Sequence, residues 1–317
     1  MKLVFSLTYS FLLWLLIFTI FTLLILMPRG TPSYDWSNDS KVDQWEEYKQ
    51  NITSFSWEDY KENVATTLRQ VIKEKSLGQT VYLHSVEYEI WRYLKRSFLI
   101  IIPAFLLSLT IGIIKGIYDF STNRSRFNWL GEKATSLFLA VPDFFLIILI
   151  QLLILYSIDL GFPHIDIFGH ETFINKALAV LFLSMYPTFY IAKITSVSLQ
   201  DEDKKDYVRT AQGKGTPIWR IVSIHMLKNC WVKIFSHLNT LMLYILSNLF
   251  IVELLTSYRG AAYLFYKSFN IKTSFYVGTP FDIDVPIIIG LSFSFTFILL
   301  ISNWISQIIT FMNQQKA

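Results

Sequence analysis

Charge is all but missing from six long stretches of this chain, and that pattern limits what it can fold into more than any other feature. The first, Leu3 to Met27, is 25 residues without a charged side chain, set between Lys2 and Arg29. A helix rises 1.5 Å per residue, so about 20 apolar residues cross the hydrocarbon of a bilayer. A cleaved signal peptide has an apolar run of about 7–15 residues that ends at a small-x-small site. This run is longer and ends Leu26-Met27-Pro28-Arg29, so it reads as a retained helix. Five further runs follow: Ser97–Ile114, Ala134–Ile158 with Asp143 inside it, Ala177–Ala192, Ile234–Val252 and Val285–Met312. They explain why 53% of the residues are hydrophobic and only 16% charged, where a soluble domain carries about 25% charged residues. Soluble globular and disordered classes are excluded on that ground. The single cysteine, Cys230, excludes an internal disulfide framework and any cysteine-cluster metal site. A net charge of +4 shows no basic tail of the kind that binds nucleic acid.

Six spans put both termini on one side, and the Lys/Arg bias of the short loops says which. With the N-terminus inside, the loops after spans two and four hold Arg124, Arg126, Lys133 and eight more basic residues between Lys193 and Lys233. On the other side, residues 159–175 hold none and residues 254–284 hold Arg259, Lys267 and Lys272. Eleven against three predicts cytoplasmic termini. The segment 28–96 is too long to obey the rule. It mixes charges with Trp and Tyr and predicts helices at Lys41–Gln50, Ser56–Lys75 and Val86–Arg96, with Ser56 and Asp59 as a capping signal. Of three Asn-x-Ser/Thr sequons, Asn38 and Asn51 fall here, but Asn123 falls on the predicted cytoplasmic side, which argues for coincidence.

The most informative stretch lies between spans four and five. After the polar run Asp201–Asp206 comes a short helix-forming segment ended by Gly213 and Gly215, which tolerate the left-handed backbone that closes helices. Thr216-Pro217 then predicts a second helix, with Thr216 as cap and Pro217 at its first helical position. Trp219, Val222, Met226 and Cys230 predict one apolar stripe along it. Such an element fits either an amphipathic helix on anionic lipid or a docking knob for a cytoplasmic partner. The knob explains more, because a rigid helix with a small tip can enter a groove and transmit force.

Asp206-Tyr207-Val208-Arg209-Thr210-Ala211, then Lys214-Gly215 and His225-x-x-x-Asn229, resembles the D-Y-V-R-T-A-x-x-K-G…H-x-x-x-N run of one family. That family is the binding-protein-dependent permeases of oligopeptide, dipeptide and nickel ABC transporters. The likeness extends to Ser76-Leu77-Gly78 (D-L-G-x-S), Gly112 through Gly116, Val141-Pro142-Asp143-Phe144 (L-P-S/D-F) and Glu253 to Gly260 (E-x-x-F-x-x-P-G-L-G). Arg259 stands where the family usually has Pro, Ala262 where it has the second Gly, and Thr256 where it has an aromatic residue.

The resemblance implies an all-α polytopic membrane protein of the type I ABC importer permease fold. It would have six transmembrane helices and an extracytoplasmic helical insertion after the first. The segments implied are 1–27 (first helix), 28–96 (extracytoplasmic), 97–312 (permease core with coupling loop 197–233) and 313–317 (cytoplasmic tail). Asp206, Tyr207, Arg209, Thr210, Ala211, Lys214, Gly215, His225 and Asn229 are implied to couple it to ATP hydrolysis. Implied partners are two cytoplasmic ATP-binding subunits, a second homologous permease and an extracytoplasmic substrate-binding protein in a bacterial cytoplasmic membrane. No cofactor is expected. The chain has no P-loop, H-E-x-x-H or nucleophile-elbow motif, so it reads as a transport subunit and not an enzyme. A sensor or scaffold that keeps the docking loop is the other reading.

Polar groups inside spans are costly and mark pathways. Asp143 beside Pro142 is the first candidate, with an end-of-helix charge reaching the interface as its alternative. Glu253 is the second, with interfacial exposure as its alternative. Gln151, His237, Asn239 and Asn248 line a cavity or bond between helices. The five histidines match no zinc-ligand spacing; His164 and His170, which share a loop with Asp166 and Glu171, are at most weak metal ligands.

Overall fold

A computed structural model of the chain describes residues 2–27, 56–79, 84–122, 129–163, 165–269 and 283–314. The expected Lys41–Gln50 helix, the three sequons, His164 and residues 315–317 lie outside the described residues. Among the described residues, five helices are long and apolar enough to cross a membrane. They are α1 (Lys2–Ile25), α3 (Val86–Thr122), α6 (Phe173–Asp203), α9 (Leu238–Leu255) and α11 (Val285–Gln314). The remaining expected crossing is a pair, α4 (Glu132–Ala140) and α5 (Asp143–Asp159), bent by 97°. The break falls at Val141, whose extended backbone (φ −87°, ψ 131°) is what a following proline enforces.

The chain divides into two compact units. The first comprises Met1–Phe11, Lys95–Tyr263 and Phe297–Ala317, and α6 is its centre. Phe182, Leu183, Ile191 and Leu199 of α6 are fully buried, as are Leu241, Ile245, Leu249 and Val252 of α9. Pro187 sits inside α6 and Thr172 caps it, its hydroxyl accepting from the Asn175 N–H at 3.1 Å. α3 meets α6 backbone to backbone through two glycines one turn apart. A Cβ at Gly112 would lie 2.8 Å from Ile191 Cβ, and one at Gly116 2.5 Å from Thr195 Cβ and 2.6 Å from the Ala192 carbonyl. Small residues at such a crossing let membrane helices approach closely, where van der Waals packing is the main attraction. Below the crossing, buried Asp119 accepts hydrogen bonds from Thr135 (2.5 Å) and Lys115, and Lys115 also donates to the Leu130 carbonyl at 2.9 Å. That group fixes the start of α4, and Lys193 of α6 grips Glu132 at 2.5 Å.

The second unit comprises Leu12–Leu94 and Leu264–Thr296. Trp14, Phe18 and Phe293 form an aromatic triangle with centroids 5.4–5.9 Å apart. Ser56 caps α2 (Trp57–Arg69) as its spacing predicts, accepting from the Asp59 N–H at 3.2 Å. A π-helical turn, Gln70–Glu74, continues α2. The Ser76–Gly78 element serves the start of α3: Leu77 N–H donates to Glu87, and Val86 N–H to the Gly78 carbonyl at 3.1 Å. α3 is one helix of 37 residues, so the separately expected Val86–Arg96 helix and the second span are continuous. Nothing in that sequence breaks a helix where the hydrophobicity begins.

Candidate functional site

The loop after α6 is organised by one buried carboxylate. α6 continues past its apolar part, and Glu202 in its last turn is 6% exposed. Glu202 Oε2 accepts from the Tyr207 hydroxyl at 2.5 Å and from Asn229 Nδ2 at 3.3 Å, and Oε1 accepts from Lys205 Nζ at 2.5 Å. Asn229 Nδ2 also donates to the Tyr207 oxygen at 3.1 Å. Two residues singled out in the sequence, Tyr207 and Asn229, are therefore joined by one that was not. Glu202 hides in an acidic run that reads as solvated. Its phase gives it away, because it follows buried Thr195, Ser198 and Leu199 at i+7, i+4 and i+3 on one face of α6. Burial first, and then the hydrogen bond to Glu202, push the Tyr207 phenol up to about 12, so it stays a proton donor at neutral pH.

On this base stands α7, Asp206–Gly213. Val208 is its inward peg at 1% exposure, while Asp206, Arg209, Thr210, Lys214 and Gly215 are exposed and Ala211 is half-buried. The helix closes with paired bonds, Thr216 N–H to the Ala211 carbonyl (3.2 Å) and Gly215 N–H to the Gln212 carbonyl (2.9 Å). This closure needs a left-handed residue, and Gly215 supplies it at φ +74°. Thr216 is therefore not a cap for the next helix. Pro217, extended at ψ 139°, takes the cap position, and Ile218 is the first helical residue.

The expected apolar stripe is also corrected. Val222, Met226 and Cys230 are buried, but Trp219 is 67% exposed. Residues Ile221–Met226 form a π-helical turn, whose wider winding shifts the phase so that Ile221 and Val222 face inward together. α8 (Leu227–Ser236) follows and is pinned back by Lys233 Nζ to Asp201 at 2.9 Å, a bond that raises the Lys233 amine above its ordinary range. Burial pushes the Cys230 thiol up to about 12. His225 is exposed, and no hydrogen bond joins it to the Glu202 group.

The intramembrane candidates do not form one hydrogen-bonded group. Pro142 caps α5, and half-buried Asp143 accepts from its own Phe144 N–H at 2.9 Å. Gln151 donates to the Leu255 carbonyl at 3.1 Å, which secures the end of α9. Asn248 is buried within α9, and His237 stands at the break between α8 and α9, its Nδ1 2.7 Å from the Tyr190 hydroxyl. Glu253 is fully buried, not interfacial. It accepts from Ser97 Oγ (2.5 Å) and Tyr263 N–H (2.8 Å), and Ser97 in turn accepts from Ala261 N–H (2.7 Å). Glu253 thus folds the turn that leads from α9 into the short helix α10 (Ala261–Lys267). Among the described residues, no three His, Cys, Asp or Glu side chains are grouped to hold a metal ion. The His170 ring instead meets Tyr258 edge-on, with centroids 6.1 Å apart, and burial followed by Arg96 keeps its pKa below the usual histidine value.

The family model of the binding-protein-dependent transport system inner membrane component matches residues 108–316. This chain belongs to that family. The match covers α4 to α11, including the whole Glu202-centred loop. Membership of this binding-protein-dependent family carries the fold class with it: an all-α, multi-pass membrane protein of the type I ABC permease fold. Among curated relatives, the chain is 24% identical to a dipeptide transport system permease protein of Bacillus subtilis, over 65% of this chain and 62% of that one. It is 29% identical to a putative peptide transport system permease protein of Brucella suis, over 42% of this chain and 44% of that one. An oligopeptide transport system permease protein of Salmonella typhimurium is 24% identical over 51% and 52% of the two chains. The chain thus spans between about two fifths and three fifths of the length of these curated relatives.

Proposed function

We propose that this chain is one membrane-spanning half of an ATP-driven importer of dipeptides or oligopeptides. The observation that carries the reading is the knob Asp206–Gly215. Its base is fixed by the Glu202–Tyr207–Asn229 hydrogen bonds, and its small, glycine-ended tip stands free of its own chain. The names of the dipeptide, peptide and oligopeptide relatives support peptides as the cargo. The topology that goes with this reading has both termini and the 197–233 loop in the cytoplasm and residues 28–96 outside, in a bacterial cytoplasmic membrane.

The partners are two cytoplasmic ATP-binding subunits, a second permease and an extracytoplasmic binding protein. The chain itself performs no catalysis; the ATP-binding subunits hydrolyse ATP. A knob seated in a partner's groove transmits motion only if its base does not yield. Asp206, Arg209, Thr210 and Lys214 meet the groove, while Tyr207, Asn229 and Val208 hold the helix to α6. Closure of the ATP-binding subunits then moves α6, and with it α9 and α4, against the second permease. ATP shifts the equilibrium only through its different affinity for the two arrangements.

Gly213 gives a clean test, because a Cβ there meets nothing within 4 Å and its backbone is ordinary helix. Gly213→Trp is therefore compatible with this chain's own fold and blocks only a partner's groove. In vesicles holding the whole transporter, the variant is expected to insert normally and to lose ATP-driven uptake of labelled dipeptide and tripeptide. Wild-type uptake in that variant would overturn the coupling role.

A further inference from the structure

α4 and the turn before it present two opposite faces. Gly131, Thr135 and Phe138, at i, i+4 and i+7, belong to the inner one. Gly131 and Thr135 are buried, and Phe138 stacks on Phe189 of α6 with centroids 4.2 Å apart. Leu130, Lys133 and Leu137, at i, i+3 and i+7, share the outer face and are exposed, Leu130 at 73% and Leu137 at 65%. Trp129, in the turn that leads into the helix, is 78% exposed. Among the described residues Lys133 pairs with no carboxylate, since the neighbouring Glu132 is held by Lys193.

The inner face fixes the depth of the outer one. Lys115 is the first charge after the apolar run 97–114 of α3, and Lys193 is the first after the run 177–192 of α6. Lys115 Nζ donates to the Leu130 carbonyl at 2.9 Å and to Thr135 Oγ1 at 3.1 Å, while Lys193 holds Glu132. The start of α4 is therefore tied to two spans at the level where their apolar surface stops. Phe138 meets Phe189, one turn inward from Lys193. Trp129, Leu130 and Lys133 thus stand at the boundary of the apolar zone, and Leu137 lies one turn inside it.

What covers this face follows from its surroundings. Leu107, Ile111, Ile114 and Tyr118 form one exposed stripe along α3, a membrane span. The stripe runs into the patch, because the Tyr118 ring lies 5.5 Å from Lys115 Nζ, which holds Leu130. A protein partner fits poorly, since lysine is depleted from the cores of protein interfaces. Trp and Lys at the end of an apolar surface are instead the chemistry of a bilayer interface, where the indole sits among headgroups and the ammonium attracts anionic lipid. We propose that the outer face of α4 binds an anionic phospholipid in the leaflet on the side of the knob. Lys133 pairs with its headgroup, Trp129 and Leu130 lie beside that headgroup, and Leu137 packs on an acyl chain. The site depends only on the chain's being a membrane protein and not on what it transports.

The test uses the whole transporter in vesicles of equal parts phosphatidylglycerol and phosphatidylcholine, so that lipid and protein partners compete for the face. Leu137→Cys and Leu130→Cys each carry a nitroxide label; both positions are open, and Cys230, the one native thiol, is buried. Collisions with oxygen, which concentrates among acyl chains, are compared with collisions with a water-soluble nickel chelate. Oxygen should dominate at Leu137→Cys and exceed its share at Leu130→Cys. Nickel dominating at Leu137→Cys puts the face in water, and neither reagent reaching it means that a protein covers it; both results overturn the site. A benzophenone on Leu137→Cys then reads the headgroup. It should cross-link phosphatidylglycerol about fivefold over phosphatidylcholine, the effect of one lysine near a charged surface, and adding Lys133→Gln should bring the ratio below about twofold. A ratio near one with Lys133 in place, or a ratio unchanged by Lys133→Gln, overturns the pairing of Lys133 with an anionic headgroup.

Discussion

Tyr207→Phe removes one oxygen from the base of the knob and leaves its packing volume in place. Glu202 Oε2 then loses its 2.5 Å partner and keeps only Asn229 at 3.3 Å, while Asn229 loses its 3.1 Å acceptor. A hydrogen bond to a charged group is worth about 1.5–3 kcal/mol net. Lys205, still bonded to the other oxygen, keeps the carboxylate partly satisfied, so about 2 kcal/mol is the expected loss. At about 1.4 kcal/mol per factor of ten, the population with α7 detached from α6 rises about thirtyfold. Amide hydrogen exchange of the purified chain in detergent micelles reads that population directly when reclosing is fast. The amides of Thr210 to Thr216, which include both bonds closing the helix at Gly215, should exchange about thirtyfold faster. Those of Leu238–Leu255 should be unchanged. Exchange within twofold of wild type across the knob would refute the anchoring argument. So would an equal acceleration in α9, which would mean that the hydroxyl serves the whole unit.

Other outcomes follow from buried positions elsewhere. Gly116→Val puts atoms where Thr195 Cβ and the Ala192 carbonyl already lie, so the melting temperature in detergent should fall, by the equivalent of about 1–3 kcal/mol or more. Gly260→Ala drives a Cβ into the Glu253 carboxylate and the Ser97 hydroxyl and should destabilise the chain by a similar amount, about 1–3 kcal/mol, whereas Gly161→Ala, with nothing within 4 Å, should show only the smaller strain of its positive φ. Cys230, 1% exposed with its thiol pushed up to about 12, should resist maleimide in the folded chain. Its thiolate fraction at pH 8 is about 10⁻⁴, against about a quarter for an ordinary thiol, so labelling should rise about tenfold per pH unit and reach one equivalent only on unfolding. Full labelling of the native chain at pH 8 would contradict the packing of α8 against α6.

The crossing helices were legible because lipid imposes one demand, uninterrupted apolar length, that sequence displays directly. Interior detail was less legible where a local rule competes with it. Val141-Pro142 carried the signal for the break in the third span, since the residue before proline avoids the helical region, but apolar length across the pair overrode it. The Trp219 stripe failed because a count at 3.6 residues per turn cannot foresee the π-helical winding of Ile221–Met226. Thr216 and Gly215 competed for the same turn, and the paired carbonyl bonds satisfied by a left-handed Gly215 decided it. Within the knob, Tyr207 and Asn229 stood out through their resemblance to the family, yet Glu202, which joins them, did not. A carboxylate in a charged run looks solvated until its place on the buried face of α6 is known.

The 97° bend at Val141–Pro142 also bears on the lipid around this protein. α4 is turned away and clamped through Glu132 and Thr135, so it adds no length along the axis of α5. α5 alone has 17 residues, about 25 Å at helical rise, against about 30 Å of hydrocarbon. Tilting relieves a helix that is too long and worsens one that is too short, so the mismatch of about 5 Å falls on the bilayer. Where α5 crosses alone, the membrane must thin, or headgroups and water must descend, at its ends, which carry Asp143 and Asp159. Acyl-chain length thereby becomes a variable that acts on this chain at these two carboxylates, and a thicker membrane works against the conformation in which both are wet.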